Sequence, residues 1–310
     1  MARYVTSKLL YTLLSLFILI TATFFLMKAI PGDPFMSEKE VPAPIRARLE
    51  AQYGLDKPLM TQYVNYLGNI VQGDLGISMK KLNQEVSHII GQTFGVSLRL
   101  GLIAVVVSTI VGVALGLLAA LYHRKFIDST VMVLAVVGIA VPSFVLASLL
   151  QYALGLKLGW FPITGLKSSL GYVLPVIALS ANPIAYIARL TRSSMLEVLH
   201  ADYIKTAKAK GLKWPAILWK HVIRNGILPV VTYVGPMTAN VITGSVVVER
   251  IFGIGGIGKV FVDSISNRDY TMIMGITLFY GIILMLARFI TDIVYVLVDP
   301  RIKLTSGKEG

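Results

Sequence analysis

The chain has 310 residues, of which 55% are hydrophobic and only 15% charged, and its formal net charge is +13. Soluble domains carry about 25% charged residues, so this composition excludes an ordinary soluble protein and indicates an integral membrane protein. The positive charge lies between apolar segments, which favours a role in membrane orientation over nucleic-acid binding. Because cysteine is absent, a disulfide framework, a thiolate metal site and a cysteine nucleophile are excluded.

Six apolar segments are long enough to cross a bilayer, which takes about 20 helical residues. The fourth is short and contains Pro175 and Pro183, which membrane helices tolerate when neighbouring helices satisfy the freed backbone groups. The sequence therefore predicts an all-α integral membrane protein with six transmembrane helices. The predicted spans are residues 9–30, 98–121, 131–156, 170–188, 227–248 and 272–298.

These spans divide the chain into four parts. Residues 1–30 would hold an N-terminal cytoplasmic segment and the first transmembrane helix, which is too long for the apolar core of a signal peptide. Residues 31–97 would form an external loop, and residues 98–300 a transmembrane core of five helices. Residues 301–310 would be a cytoplasmic tail. The external loop is predicted to contain two short helices, since its apolar residues recur at helical spacing after prolines.

The second span carries Gly112 and Gly116, four residues apart and therefore on one face of a helix. A pair of small residues at this spacing lets another helix approach closely. We expect this face to contact a second helix, although the same pattern also arises by chance.

The distribution of Lys and Arg over the short connections predicts the orientation. Residues 189–226, between the fourth and fifth spans, hold eight Lys or Arg against two acidic residues. Arg124 and Lys125 follow the second span, on the same side if the spans alternate. Basic connections remain in the cytoplasm, so both termini are predicted to be cytoplasmic.

The basic connection is also patterned. Ile204, Ala207, Gly211 and Leu212 suggest one packing face, and the lysines of the same segment suggest another. Two cytoplasmic helices joined by a glycine turn have the shape needed to dock on a partner protein. The segment is therefore predicted to bind another subunit.

The stretch FGIGGIGKV contains two patterns found in nucleotide-binding loops. Gly253, Gly255 and Gly258 fit G-x-G-x-x-G, and Lys259 continues the start of a P-loop, but Val260 stands where Ser or Thr would hold magnesium. Neither pattern has a predicted strand before it within a βαβ unit. A glycine turn beside the fifth span is favoured. With no catalytic or metal-ligand constellation evident, we expect no enzymatic activity and no cofactor in this chain.

Nine motifs resemble the membrane subunit of bacterial ATP-binding-cassette (ABC) importers, in the peptide/nickel branch. Each motif is weak alone, but the order and the gaps together are specific and cover nearly the whole chain. The motifs are IPGDP at 30–34, LDKPLMTQY at 55–63, GDLGIS at 73–78, VPSF at 141–144, RLTRSSMLEVLHADYIKTAKAKG at 189–211, RNGILPVVT at 224–232, VVVERIFGIGGIG at 246–258, NRDY at 267–270 and DPRIK at 299–303.

The resemblance implies a type I ABC importer permease in a bacterial cytoplasmic (inner or plasma) membrane. Such a subunit pairs with a second homologous permease and with two nucleotide-binding ATPase subunits, which bind the ATP and magnesium. An extracytoplasmic binding protein would deliver the dipeptide or oligopeptide, and no nucleic-acid partner is expected. Alternative cargoes are nickel chelates, glutathione or another small solute. An ion-coupled secondary transporter is the alternative class, although no mid-membrane acidic coupling site is evident.

The family shares a cytoplasmic loop that usually carries Glu-Ala-Ala and, further on, a glycine. Lys205, Thr206 and Ala207 replace the three residues here, and the glycine is Gly211. The resemblance implies that these four residues and Leu212 contact the ATPase. We expect Gly211 to allow a sharp turn that a Cβ would obstruct.

The translocation pathway is expected to be lined by small and polar side chains, because peptides share a backbone but differ in side chains. Polar residues within the spans are the candidates, although each could equally hydrogen-bond a neighbouring helix. These pore candidates are Ser143, Asn182, Asn240, Thr243 and Ser245.

Overall fold

The computed structural model describes residues 2–30, 34–35, 42–81 and 83–298. The predicted tail at 301–310, the motif DPRIK and most of IPGDP lie outside these ranges. Within them the regular structure is helical, apart from one antiparallel bridge between Ile77 and Glu85. The α-helices are α1 Ala2–Ala29, α2 Ala43–Gln52, α3 Leu59–Val71, α4 Val86–Leu121, α5 Phe126–Ala140, α6 Ser143–Leu150, α7 Val173–His200, α8 Asp202–Ala209, α9 Trp214–Ile217, α10 Arg224–Gly226, α11 Leu228–Gly244, α12 Val246–Ile251, α13 Ile257–Asn267 and α14 Tyr270–Val298.

Three shorter helical segments join these elements. Gln151–Lys157 and Leu218–Ile223 are π-helical continuations of α6 and α9, and Ser169–Tyr172 is a 3₁₀ turn before α7. π-Helical turns inside α-helices are uncommon and often occur at functional sites.

Five helical segments of the described chain are long and apolar enough to cross a membrane, and a bent pair of helices makes a sixth if it counts as one span. The prediction of an all-α membrane protein is therefore confirmed. The five segments are Thr6–Ala29, Val86–Leu121, Ser169–His200, Leu228–Ile251 and Tyr270–Thr291, and the bent pair is Phe126–Ala140 with Ser143–Lys157.

The bent pair corrects the third predicted span, which was expected to be continuous from 131 to 156. α5 and the helix that starts at Ser143 are bent by 101° relative to each other. Val141 is extended, with φ −84° and ψ 117°, and Pro142 follows it. Because proline disfavours a helical conformation in the preceding residue, the chain turns there instead of continuing through the apolar run.

Two predicted boundaries differ from the observed helices. α4 begins at Val86 instead of residue 98, and α7 continues past residue 188 to His200. The predicted connection 189–226 therefore begins inside a helix. Polar residues such as Arg189 end the apolar stretch of the sequence, but they do not break the backbone hydrogen bonds of the helix. The backbone leaves the helix only at Ala201, where φ is −68° and ψ is 145°.

The two helices predicted between the first two spans are present as α2 and α3. The helix α13 was not predicted. It follows the glycine turn and ends at Arg268, which adopts a left-handed conformation with φ 57°. Since α12 precedes the glycine-rich stretch, the strand that a nucleotide-binding loop requires is missing there.

The chain packs as two units. The first contains Met1–Val96 and Gly255–Met285. Within it, the Phe24 ring of α1 stacks on Tyr66 of α3 with ring centroids 5.5 Å apart, and burial raises the pKa of Tyr66 to about 12. Asp269 precedes α14 and accepts hydrogen bonds from the Ser78 hydroxyl and from the Met272 amide at 3.2 Å.

The second unit contains Ser97–Ile254 and the described residues from Leu286 to Val298, and α7 lies at its centre. A Cβ on Gly112 would lie 2.7 Å from the Ile187 Cβ, and a Cβ on Gly116 would lie 2.5 Å from the Ala188 carbonyl oxygen. α4 and α7 therefore approach as closely as glycine permits. The expectation that Gly112 and Gly116 face another helix is confirmed.

Candidate functional site

A turn after α8 gives the basic connection its angular form. Residues 202–223, which we call the basic elbow, comprise α8, this turn, α9 and its π-helical continuation. The Gly211 amide donates to the Lys208 carbonyl at 2.9 Å, and the Leu212 amide to the Ala207 carbonyl at 3.3 Å. These are the two hydrogen bonds of a Schellman motif, which ends a helix with a left-handed residue.

Gly211 supplies that left-handed residue, with φ +77°. An L-amino acid with a side chain pays about 1–2 kcal/mol in this conformation. A Cβ at this position would nevertheless meet nothing within 4 Å. The expectation that Gly211 allows a sharp turn that a Cβ would obstruct is therefore confirmed, although the obstruction comes from the backbone of the turn itself and not from a neighbouring residue.

The inner face of α8 packs against the rest of its unit. Ile204 and Ala207 belong to a buried apolar cluster that also contains Ala120 of α4 and Met195 of α7. Ile217 and Val222 complete it from the other arm of the elbow. Ala207 is only 6% exposed. Ala207 is one of the five residues predicted to contact the ATPase. Because its side chain is buried, it instead supports the elbow from within the chain.

The outer face of α8 is open. Lys205, Thr206, Gly211 and Leu212 are exposed, so the predicted packing face extends over Ile204 and Ala207 only. Lys205 pairs with Asp202, Nζ to Oδ1 at 2.8 Å. Residues 202–223 contain five Lys and no acidic residue besides Asp202. The elbow therefore presents a positive surface of the kind that complements an acidic partner.

The exposed aromatic residues of the elbow were not predicted from the sequence. Tyr203, Trp214 and Trp219 are exposed, and the Lys208 ammonium lies 5.4 Å from the centre of the Trp214 ring. The clustering of two of the three tryptophans of the chain within six residues was the signal that could have identified them.

A buried ion pair joins α7 to the turn between α4 and α5. Asp128, at the start of α5, accepts from both the Nε and the Nη2 atoms of Arg192. From the sequence, Arg192 was predicted only to be one of the basic residues of a connection. The pair was missed because the two residues lie far apart in the sequence.

Three of the five pore candidates line one cleft. Ser143 of α6, Asn182 of α7 and Asn240 of α11 surround a cavity of about 220 Å³, together with Tyr233 and Met237. The two asparagines are exposed and Ser143 is partly exposed. The structure thus brings together polar groups from three helices that are remote in sequence.

The other two pore candidates lie elsewhere. The Thr243 hydroxyl donates to the Ala239 carbonyl within its own helix at 2.9 Å. Ser245 is fully buried, and its hydroxyl lies 2.6 Å from Oε1 of Glu249, which is also fully buried. Neither Thr243 nor Ser245 is among the residues that line this cleft. Each hydroxyl bonds a residue four positions away in the chain, and not a neighbouring helix.

An aromatic pair beside the cleft was not predicted. The rings of Tyr186 and Tyr233 stack with centroids 4.3 Å apart. Tyr186 lies one helical turn after Asn182, so the two side chains share a face of α7. Tyr186 could have been identified from the sequence, because it lies four residues after the polar candidate Asn182. No group of three or more Asp, Glu or His residues that could hold a metal ion occurs in the described ranges.

Comparison with known proteins assigns the chain to a family. Residues 112–304 match the profile described as binding-protein-dependent transport system inner membrane component, and residues 1–110 match the profile of the corresponding N-terminal region. The chain therefore belongs to this family of transport-system membrane components, and the resemblance identified from its motifs is confirmed.

Relatives align over nearly the full length. The chain is 48% identical to the dipeptide transport system permease protein DppB of Bacillus subtilis, over 98% of this chain and 99% of that protein. It is 42% identical to the oligopeptide transport system permease protein OppB of Haemophilus influenzae, over 98% of this chain and 100% of that protein. The OppB protein of Escherichia coli K12 is 41% identical with the same coverage.

Solved structures share the fold at low sequence identity. A methionine ABC transporter (MetNI) in an inward-facing conformation matches with a TM-score of 0.56 and 17% identity, over 69% of this chain and 97% of that chain. An amino acid ABC transporter with histidines matches with a TM-score of 0.55 and 18% identity, over 67% and 93%. The chain thus has the fold of type I ABC importer permeases.

Proposed function

We propose that this chain is one of two permease subunits of an ATP-driven importer of dipeptides or oligopeptides. The observation that carries the proposal is α8, whose outer face is free while its inner face is built into the core of the unit. Such a helix can receive force from a partner and pass it on. The cargo is assigned from the dipeptide and oligopeptide permeases that align over 98% of the chain.

The helix α7 connects the elbow to the cleft. It carries Asn182 at the cleft and Met195 in the apolar cluster under α8, about 20 Å apart along one helix at 1.5 Å per residue. A tilt of the elbow therefore moves the cleft wall as well. In the proposed cycle, an ATPase subunit binds Lys205, Thr206 and Leu212, and its closure on ATP rocks α7.

The cleft suits a cargo with a constant backbone and variable side chains. The amides of Asn182 and Asn240 each offer donors and an acceptor, and Ser143 offers a hydroxyl. These groups match the amide groups that all peptides share. Tyr233, which is partly exposed, offers apolar contact to different side chains.

The remaining parts of the importer would come from other chains. ATP and magnesium would bind the two ATPase subunits, a second permease would supply the opposite half of the pathway, and an extracytoplasmic binding protein would present the peptide. The charge distribution supports cytoplasmic termini and elbow, with residues 31–97 outside.

Reconstituted transport tests this proposal. We expect proteoliposomes that contain this chain, its partner permease, its ATPases and its binding protein to accumulate a labelled dipeptide only when ATP reaches the ATPases. Uptake that survives inactivation of the ATPases and collapses with the proton gradient would instead indicate a secondary transporter. A binding protein that retains a nickel chelate or glutathione but no peptide would reassign the cargo.

A further inference from the structure

The second arm of the basic elbow has two unlike faces. Ile217 and Val222 point into the apolar cluster and are almost completely buried. Trp219 lies between them in sequence but is 70% exposed, and the neighbouring Lys220 is exposed too. The second arm therefore has a buried face in the apolar cluster and an exposed face that carries an indole ring and a positive charge.

Among the residues that the structure describes, the cations of this segment have no ion-pair partner. Lys213, Lys220 and Arg224 form no ion pair with any residue that the structure describes. Asp202, the single acidic residue between 202 and 226, is paired with Lys205 on the other arm. Residues 213–224 therefore carry three exposed positive charges together with the exposed ring of Trp219.

The second arm is followed closely in the sequence by a candidate membrane span. The second arm leads through α10 to Leu228, where a candidate membrane span begins. Tryptophan concentrates at the boundary between headgroups and acyl chains, and Lys and Arg extend their charged ends toward the headgroups. Each Lys or Arg close to an anionic bilayer surface strengthens binding by roughly fivefold. Charge complementarity thus selects an anionic lipid over a zwitterionic one.

We propose that Lys213, Trp219, Lys220 and Arg224 form a binding site for the headgroup of an anionic phospholipid. The cations contact the phosphate and its negatively charged surroundings, and the indole lies at the level of the ester groups. A bound lipid would hold the second arm at the bilayer surface while the outer face of α8 remains free for a protein. The site does not depend on which solute the protein transports.

The test uses Trp219 as its own reporter. In the full-length W160F/W214F chain, Trp219 is the remaining tryptophan, because the chain contains three. The chain is reconstituted into phosphatidylcholine bilayers that contain increasing fractions of brominated phosphatidylglycerol or brominated phosphatidylcholine, and quenching of the Trp219 fluorescence is measured. We expect a relative binding constant at least about fivefold in favour of phosphatidylglycerol.

Two charge-matched variants locate the effect. In K213Q/K220Q/R224Q the preference should fall to near parity. In K205Q/K208Q/K210Q, which removes three positive charges from α8 and the turn, the preference should persist. Size-exclusion profiles and helical circular dichroism spectra confirm that both variants are folded.

Several outcomes would overturn the proposal. Equal quenching by the two brominated lipids in the parent chain excludes a selective site, whether or not the variants fold. Equal loss of preference in both triple variants shows a diffuse charge effect. If Trp219 is quenched by neither lipid, or loses its quenching when the ATPases are added, a protein surface covers this face instead.

Discussion

Arg192 of α7 binds Asp128 of α5 through two parallel hydrogen bonds, Nε to Oδ1 at 2.5 Å and Nη2 to Oδ2 at 2.8 Å. Asp128 also accepts from the Arg124 amide at 3.0 Å and lies 3.1 Å from His123 Nδ1. One helical turn further along α7, Met195 supports the basic elbow. The ion pair therefore fixes α7 to the turn between α4 and α5. This attachment lies next to the basic elbow, through which we expect the ATPase to act on the chain.

Replacement of Asp128 by asparagine should destabilise the protein. Breaking a buried pair by removing one partner costs about 3–5 kcal/mol. Because the Arg192 side chain is 25% exposed, we expect a loss near or below the lower end of that range. The measurement is denaturant unfolding in detergent micelles. The control is Asp202→Asn, which removes an exposed pair and should leave the midpoint unchanged.

A double-mutant cycle separates the pair from other effects of the substitution. The Asp128→Asn/Arg192→Gln variant should lose less than the two single variants added together, since it leaves no unpaired charge behind. Strict additivity of the three free energies of unfolding would show that the two residues do not interact.

Substitution of Gly116 by alanine should push α4 and α7 apart. The new Cβ would lie 2.5 Å from both the Ala188 carbonyl oxygen and the Thr191 Cβ. Overpacking of this kind typically costs 1–3 kcal/mol, which a lowered unfolding midpoint would report. Gly95 is the matched control in the same helix, because a Cβ there meets nothing within 4 Å. Gly95→Ala should be neutral or slightly stabilising, and equal losses at both positions would contradict the packing argument.

Gly211 substitutions should weaken ATPase docking without affecting membrane insertion. Gly211→Ala places an L-residue at φ +77°, at about 1–2 kcal/mol, so we expect roughly fivefold to thirtyfold weaker association. Gly211→Trp should be at least as severe, since it adds bulk to an exposed turn. Gly211→Asn should be milder, because asparagine tolerates the left-handed conformation. Co-purification with the ATPases is the readout, and wild-type recovery with the Ala and Trp variants would refute the assignment.

Asn182→Leu and Asn240→Leu should each reduce the rate of peptide uptake. One lost hydrogen bond is worth about 1 kcal/mol, or roughly fivefold in rate if it forms in the rate-limiting step. Thr243→Val is the control, because that hydroxyl bonds its own helix outside the cleft. If all three variants transported peptide equally well, the cleft would not lie on the pathway.

Cysteine labelling should test the orientation, and the absence of native cysteine makes the assay direct. Both Asn83 and Lys205 are exposed positions. We expect Asn83→Cys to react with an impermeant maleimide in intact cells, and Lys205→Cys to react only after the membrane is opened. The reverse pattern would invert the topology derived from the charge distribution.

The class of this protein can be read from its amino-acid sequence. Apolar segments of spanning length, the Lys and Arg of the short connections, and ordered motifs are properties of a linear chain, so they can be read without a structure. The helices α2 and α3, the close-packed face of Gly112 and Gly116, and the basic character of the elbow all follow from local patterns. The prediction of a continuous third span was wrong, because the apolar run continues through Pro142 and composition does not reveal that the backbone turns there.

Which side chains meet became clear from the three-dimensional packing of the helices. Ala207 is buried in the core and Leu212 is exposed, although both belong to the same short motif. Asp128 pairs with Arg192, which lies on a helix distant in sequence. Ser143, Asn182 and Asn240 surround one cleft, whereas Ser245 bonds Glu249 instead. Such contacts depend on how helices distant in sequence cross and rotate, and the packing of the whole unit sets that rotation.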